Sequence, residues 1–570
     1  MSARREFCEQ LRSALLAAER KPVLQVVAGP DFDRPVEFTG RSLIARAEDL
    51  SSQFRTRERD VVLLLLPHSP ELFLLQLGLI LGGRIPGILA WPTGRVDPDK
   101  YQRNLVHQLG NLPADLLITL PRLAENLAGA LPYPVAAATI EGASGFEKMF
   151  PTGTVSERLH KQEVRSRATR AREDELFLQF SGGTTGAQKA IVVTVAMLSA
   201  QLASLGQALQ FTQEDCVISW LPLYHDMGLV AGYWMPLWHG ASSVQLSAND
   251  WVMNPELFLS YVDRAKGTFC WLPNFAFSYL SQRCERMRST HRLGSMKGWI
   301  NCSEPVRARS IEEFIRTFAD WGVRSESLQT SYAMAETVFA ISQSRLGTEP
   351  PTVRRAAVNR GKQSHCELAF DVVDELYVSS GRPLADTEVS VRAEDGSACP
   401  ERSAGEIHVR TPSLFAGYWG VHGFQKQTLK DGWHATGDYG FVSDGELYVI
   451  GRFKDIVMVG GNNVFPEDVE AVVNAIDGIY RGRVVAFGLE DQNYGTESLA
   501  IVAETRGEPD EGAASRLEAA IRKSVLTNIG IAPRHVAVVP QRWIVKSTAG
   551  KISRRETRER FLREKLATRL

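Results

Sequence analysis

Leu176-Phe177-Leu178-Gln179-Phe180-Ser181-Gly182-Gly183-Thr184-Thr185-Gly186-Ala187-Gln188-Lys189 is the stretch from which the rest of the chain can be read. Its first five residues form a short, mostly apolar run, the pattern of a buried strand. That run passes directly into a Gly/Thr-rich loop. Gly182, Gly183 and Gly186 let a backbone approach an anion closely. Successive N–H groups make a concave nest, the hydroxyls of Ser181, Thr184 and Thr185 add donors, and Lys189 adds a point charge. By residue type this is a loop for phosphate. It is not a Walker A loop, because no G-x-x-x-x-G-K-[ST] register fits. Taken alone, a loop of this composition is more often only a turn.

Upstream, Val61–Leu66 is an unbroken apolar run between Asp60 and Pro67, the signature of a strand buried on both faces. Arg41–Phe54 reads as a helix before it, Pro70–Leu81 as the helix after it, and Leu116–Leu120 as a further buried strand. Strand and helix in alternation imply a parallel sheet with crossover helices. Arg158–Glu175 is mostly charged and reads as a solvated linker. Downstream, Val389–Arg392, Gly405–Arg410 and Glu446–Gly451 are short and β-rich with turn residues between them, which predicts a small antiparallel subdomain. After Gly451 the composition changes. Helices are expected over Asp468–Ala475 and Ser515–Leu526, strands over Val484–Gly488 and Leu499–Glu504, and a charged terminal helix over Arg554–Leu566. The expected fold class is α/β. Residues 1–451 should form a large N-terminal domain of parallel β-sheets and helices with the small β subdomain, and 452–570 a small mobile α+β domain.

The 570 residues are 44% apolar and 23% charged, which excludes a disordered, collagen-like or coiled-coil chain. Lys+Arg total 65 and Asp+Glu 66, a net charge of −1, so no polyanion footprint is present and nucleic acid is a poor partner. The apolar runs Val61–Leu66 and Leu72–Leu81 fall short of the ~18–20 residues a membrane helix needs, so no membrane insertion is expected. Met1–Leu16 carries Arg4, Arg5, Glu6, Glu9 and Arg12 and reads as an amphipathic helix, not a signal peptide. Seven widely spaced cysteines without C-x-x-C argue against a disulfide framework or zinc knuckle and suit a reduced, cytoplasmic protein. No H-E-x-x-H is present among the 11 histidines.

Four further segments follow in order: Tyr332-Ala333-Met334-Ala335-Glu336-Thr337, Thr436-Gly437-Asp438, Gly451-Arg452-Phe453-Lys454-Asp455 and Ser547-Thr548-Ala549-Gly550-Lys551. Each is weak singly, and their order is informative. The chain resembles the acyl-adenylate-forming (AMP-binding) superfamily of acyl-CoA synthetases, adenylation domains and luciferases. That family's phosphate loop reads [ST]-[ST]-G-[ST]-T-G-x-P-K-G. Here Gly182 replaces the second Ser/Thr, Gln188 the Pro and Ala190 the last Gly. The other segments match the family's Y-G-x-[TA]-E, T-G-D, G-R-x-[KD]-[DE] and terminal G-K elements, with Ala333 in place of Gly. A narrower resemblance, to fatty acyl-AMP ligases, rests on Leu223–Leu229, Asn301–Arg307 and Ala416–Trp419. The polar, basic segment Leu346–Leu376 lies where that subfamily carries an insertion associated with delivery to a carrier protein.

The resemblance implies roles. ATP and Mg2+ are the expected cofactors, with the loop Ser181–Lys189 on the β- and γ-phosphates and Glu336, with Thr184, on the metal. Tyr332 would stack on adenine within the segment Ala333, Met334 and Thr337, and the backbone of Ser303, Glu304 and Pro305 would frame its edge. Asp438 would take the ribose hydroxyls and Arg452 the ribose or α-phosphate. Lys551 would bridge the two anions that react, His225 would lie at the mouth of the acyl pocket, and Lys454 would be the pivot of a moving lid. The implied reaction is activation of a fatty or cyclic carboxylic acid to acyl-AMP, then transfer to a phosphopantetheine thiol of an acyl carrier protein. Free CoA as acceptor is the alternative, and a non-catalytic nucleotide-binding module ranks below both. Tyr233, Trp234, Phe275 and Phe277 are candidates for the acyl-pocket wall, at even odds with ordinary core.

Overall fold

The computed structural model describes residues 2–18, 21–28, 32–91, 105–106, 108–128, 131, 133–139, 174–180, 189–284, 291–359, 376–420, 423–426, 429, 431–459, 462–491, 496–546 and 552–566. Three of the expected features fall mainly or wholly outside these: the charged stretch before Asp174, the loop at 181–188, and positions 360–375 of the expected insertion. Thr184 and Lys551 also lie outside them.

The fold is α/β. One sheet has eight strands in the order Gly423–Lys426, Gly417–Gly420, Ala190–Thr194, Glu175–Phe180, Ile85–Ile88, Val61–Leu65, Leu116–Thr119 and Val135–Ala137. It is parallel from Glu175–Phe180 onward and antiparallel on the other side. Glu175–Phe180 pairs antiparallel with Ala190–Thr194, so the phosphate-type loop joins two strands of a hairpin, and the helix Val195–Ala208 follows only after the second. Val61–Leu65 is buried at every position, and Pro70–Leu81 is a helix over the span its pattern predicts. The helix expected over Arg41–Phe54 runs Gly40–Ser52, with Thr39 as N-cap accepting a hydrogen bond from Ser42 N at 3.3 Å.

The second sheet has nine strands: Arg382–Pro383, Ala340–Gln343, Leu328–Ala333, Gly298–Cys302, Phe269–Leu272, Cys216–Ser219, Ser242–Gln245, Pro22–Val26 and Val36–Thr39. Its middle is parallel and its two margins are antiparallel. A single apolar core reaches through both sheets from Phe7 to Trp419. The β subdomain is a four-stranded antiparallel sheet, Glu388–Arg392, Gly405–Arg410, His434–Ser443 and Glu446–Arg452. Its longest strand, His434–Ser443, was not anticipated as a strand. Gly440 explains part of the difference: a Cβ there would come within 2.3 Å of the Tyr448 carbonyl, so only glycine lets the two strands close.

Beyond Arg452 a 3-10 turn, Phe453–Asp455, leads into a three-stranded sheet, Val484–Asp491, Thr496–Glu504 and His535–Val539, packed by the helices Pro466–Asn474 and Glu511–Ile529. This part has apolar clusters of its own. Phe465 is the exception, packing with Tyr439 and Phe441 of the β subdomain. Polar contacts also cross here. Arg355 Nη1 lies 2.6 Å from Asp468 with both side chains buried, and Arg307 Nη2 donates to the Glu467 carbonyl at 3.4 Å. The terminal helix Arg554–Phe561 ends in a π-helical turn, Leu562–Leu566. Arg554 is held by Asp455 at 3.2 Å, by Glu467 at 3.2 Å and by Glu470. Just before it, Lys546 and Ile552 form an isolated bridge, and Ser553 N donates to the Val545 carbonyl at 2.9 Å.

Candidate active site

Parallel pairing of Gly298–Cys302 with Leu328–Ala333 sets Cys302 beside Ser331, and so carries Ser303 to the same end of the sheet as Tyr332. Ser303 has φ +71°, left-handed backbone at a non-glycine residue, the kind of strain that a surrounding structure must hold. Asn274 helps to hold it. Its Oδ1 accepts from Asn301 Nδ2 at 2.9 Å and from Arg307 N at 3.0 Å, one bond on either side of the Ser303–Pro305 segment. Glu304 is engaged as well: its Oε2 accepts from Phe275 N at 3.0 Å, at the start of the helix Asn274–Cys284.

Tyr332 Oη donates to Asp438 Oδ2 at 2.5 Å. Burial pushes the Tyr332 phenol well above its ordinary pKa, and the Asp438 charge adds to that. Asp438 stands opposite Arg452 on the neighbouring strand, with Arg452 Nε 3.6 Å from Asp438 Oδ1. The Asp438 backbone N–H donates to Thr436 Oγ1 at 3.1 Å, and that hydroxyl donates to the Ile407 carbonyl at 2.7 Å. Tyrosine, aspartate and arginine from three strands are thus fixed against one another.

Glu336 lies in the 3-10 turn Ala335–Thr337, which the sequence around it holds from several sides. Gln179 Nε2 donates to the carbonyls of Ala335 at 3.3 Å and Val338 at 2.9 Å. Phe415 N donates to the Glu336 carbonyl at 2.7 Å, and Thr337 Oγ1 donates to Met334 O at 3.0 Å. Burial raises the Glu336 pKa, and the Asp226 charge adds to the rise, while Lys189 and Arg452 oppose it. Those four charged side chains therefore share one region. His225 belongs there too, its Nδ1 2.6 Å from Asp226 Oδ1. Both precede a π-helix, Met227–Trp234, whose Gly232 carbonyl is taken by Ser243 Oγ at 3.0 Å and Gln245 Nε2 at 2.7 Å.

The aromatic candidates divide. Tyr233, Trp234 and Phe277 have no exposed surface. Tyr233 Oη donates to the Phe73 carbonyl at 2.8 Å, Trp234 stacks parallel to Phe177 at 6.1 Å, and Phe277 meets Phe314 edge-on at 5.1 Å. These three are core side chains here and border no open space. Phe275 alone is exposed, at 42%, edge-on to the stacked pair Trp220 and Trp251, whose centroids are 4.0 Å apart. Lys454 is exposed on its turn. Gln179, Asp226, Asn274 and Phe415 were not singled out from sequence. A glutamine in the middle of the apolar strand Glu175–Phe180 was the one visible signal.

Comparison with known proteins gives a consistent picture. A family model described as AMP-binding enzyme matches residues 16–419. A putative ligase of Mycobacterium tuberculosis, Rv1013, is 30% identical over 396 residues, 67% of this chain and 71% of that protein. JamA of Moorena producens, a medium-chain-fatty-acid–[acyl-carrier-protein] ligase, is 27% identical over 549 residues, 91% of this chain and 88% of JamA. Among solved structures, one from studies of the fatty acyl-adenylate ligases of E. coli and L. pneumophila superposes with a TM-score of 0.79 at 23% identity, covering 98% of each chain.

Proposed function

The chain belongs to the AMP-binding enzyme family and is an adenylate-forming ligase, and from that premise we propose that it activates a fatty or cyclic carboxylic acid as acyl-AMP and passes the acyl group to the phosphopantetheine thiol of an acyl carrier protein. The observation that carries this reading is the joined set Tyr332, Asp438 and Arg452. Asp438 is anchored from two sides, so the ribose hydroxyls of ATP meet an acceptor whose position is already set. Tyr332 offers its ring to adenine beside the braced segment Ser303–Pro305.

In the first half-reaction a carboxylate oxygen of the acid bonds to the α-phosphorus of ATP, and the bond to pyrophosphate breaks. Both partners are anions, so the protein must supply positive charge and alignment. Lys189 and the loop before it hold the leaving phosphates. Lys551 neutralises the acid carboxylate and the α-phosphate as they close. Glu336, with Thr184, would hold Mg2+. A buried carboxyl whose pKa burial has raised is one that gains by meeting a cation. The ion would supply further neutralisation of the phosphate oxygens. In the second half-reaction residues beyond Arg452 turn about Lys454, withdraw Lys551 and admit the thiol, which attacks the acyl carbonyl and releases AMP. Lys454→Pro should leave adenylation working while slowing thiol transfer, because proline fixes φ.

The activity for which JamA is named, and its match along most of this chain, support the carrier-protein acceptor. The six free cysteines among the described residues accord with a reducing, cytoplasmic setting. No helix among the described residues is long and apolar enough to cross a membrane. The test is pyrophosphate exchange across a panel of medium-chain, branched and cyclic acids, followed by a paired acceptor assay with a phosphopantetheinylated carrier and with CoA. Failure of every acid to support exchange would overturn the reading, and preference for CoA would replace the carrier as acceptor.

A further inference from the structure

Gly417–Gly420 pairs antiparallel with Ala190–Thr194, Trp419 facing Ala190 and Tyr418 facing Ile191, so Tyr418 stands beside the end of the hairpin that Lys189 closes. The Lys189 ammonium lies over the Tyr418 ring, 4.9 Å from its centroid. The strand is held in place: the Trp419 indole N–H donates to the Pro113 carbonyl at 2.7 Å. Phe415 packs on Tyr418 at 4.8 Å, and the Phe415 N–H is the one bonded to the Glu336 carbonyl at 2.7 Å. One short segment, 415–418, thus touches both the candidate metal residue and the candidate phosphate lysine. His434 is edge-on to Phe415 at 5.4 Å, and burial first, then His408 and Lys189, lower its pKa to about 4. It adds no positive charge to this corner at neutral pH.

We propose that Tyr418 is a positioning residue: the face of its ring holds the Lys189 ammonium beside Glu336 and so fixes where the terminal phosphates of ATP meet positive charge. The inference rests on the reading of Lys189 as a phosphate-binding residue. Its physical ground is that an aromatic face holds a cation without neutralising it. On this reading Tyr418 acts on the nucleotide through Lys189, so its loss should weaken ATP binding and spare turnover at saturation.

The experiment is pyrophosphate exchange at saturating acid with ATP varied. Y418L should raise the KM for ATP about fivefold to tenfold with kcat held within about twofold, and Y418F should restore the KM. In a K189M background Y418L should add nothing further, because both act through one contact. Should Y418L fold poorly, mono-, di- and trifluorinated phenylalanines at 418 keep the shape and drain the π face, and KM should climb with each fluorine. A K189M enzyme with unaltered ATP KM would sink the phosphate reading and this inference with it. A K189M defect alongside a flat fluorine series, or effects of the two substitutions that multiply, would overturn the inference alone.

Discussion

Tyr332, Asp438 and Arg452 are joined by polar contacts, and the Arg452 side chain is 56% exposed. Tyr233 and Trp234 meet ring to ring, Phe277 packs on Phe314, and none of the three has exposed surface. The first group comes from three strands that could exist without it, since each side chain projects from a sheet already closed by backbone bonds. The second group is part of what closes the sheets. A substitution in the first should therefore change chemistry while the fold persists, and one in the second should change stability while ATP binding persists.

Trp234→Ala should produce the largest effect. Removing a fully buried indole stacked on Phe177 costs about 3–5 kcal/mol, read as a lower urea midpoint at unchanged m. The surviving folded enzyme should keep its KM for ATP. A shifted ATP KM with normal stability would reverse the contrast. Lys551→Ala is expected to lower pyrophosphate release with the best acid by about 100- to 1,000-fold, as for other single contacts made in the transition state, at an unaltered melting temperature. Near-normal release by the folded variant would remove Lys551 from the first half-reaction. Tyr332→Phe sharpens the contrast further. It deletes one hydrogen bond to a charged acceptor, so the ATP KM should rise about tenfold while the ring still stacks.

The smallest effect at neutral pH belongs to His68, half-buried just beyond the strand Val61–Leu65. Burial lowers its pKa from 6.5 to about 4, partly offset by its contact with the Val27 carbonyl at 3.2 Å. Between those values the unfolded chain binds the proton and the folded chain does not. The stabilisation is complete above about pH 6.5 and is lost as pH falls toward about 4. His68→Gln should flatten that acid slope in a denaturation series, and an unchanged slope would place the acid-labile group elsewhere.

Burial on both faces writes an unbroken apolar run, and Val61–Leu65 and Pro70–Leu81 were legible for that reason. The nine-stranded sheet is written differently. Ser242–Gln245, Leu328–Ala333 and Ala340–Gln343 bury serines, threonine and glutamines, some of them hydrogen-bonded between strands, as where Ser344 Oγ donates to Gln329 Oε1 at 2.7 Å and Ser331 Oγ to the Ser342 carbonyl at 2.8 Å. Such strands carry no hydrophobic signal. Tyr332, Glu336, Asp438 and Arg452 could be named because the short segments around them resemble family motifs. Gln179 and Phe415 join them through pairings between distant segments, which no local motif encodes. Aromatic content could not separate wall from core either, because a ring is equally at home in both.

The bridge between Lys546 and Ile552 acts as a short leash. Ile552 packs on the C-terminal apolar cluster, and Arg554, a little farther on, is clamped by carboxylates. Lys551 is bonded directly to Ile552 in sequence. On the proposed reading, the arrival of Lys551 at a reacting carboxylate, and its departure, would follow the movement of the unit that carries Ile552. Lengthening the leash by a few glycines would uncouple the two, giving a lysine free to linger after adenylation and to obstruct the incoming thiol.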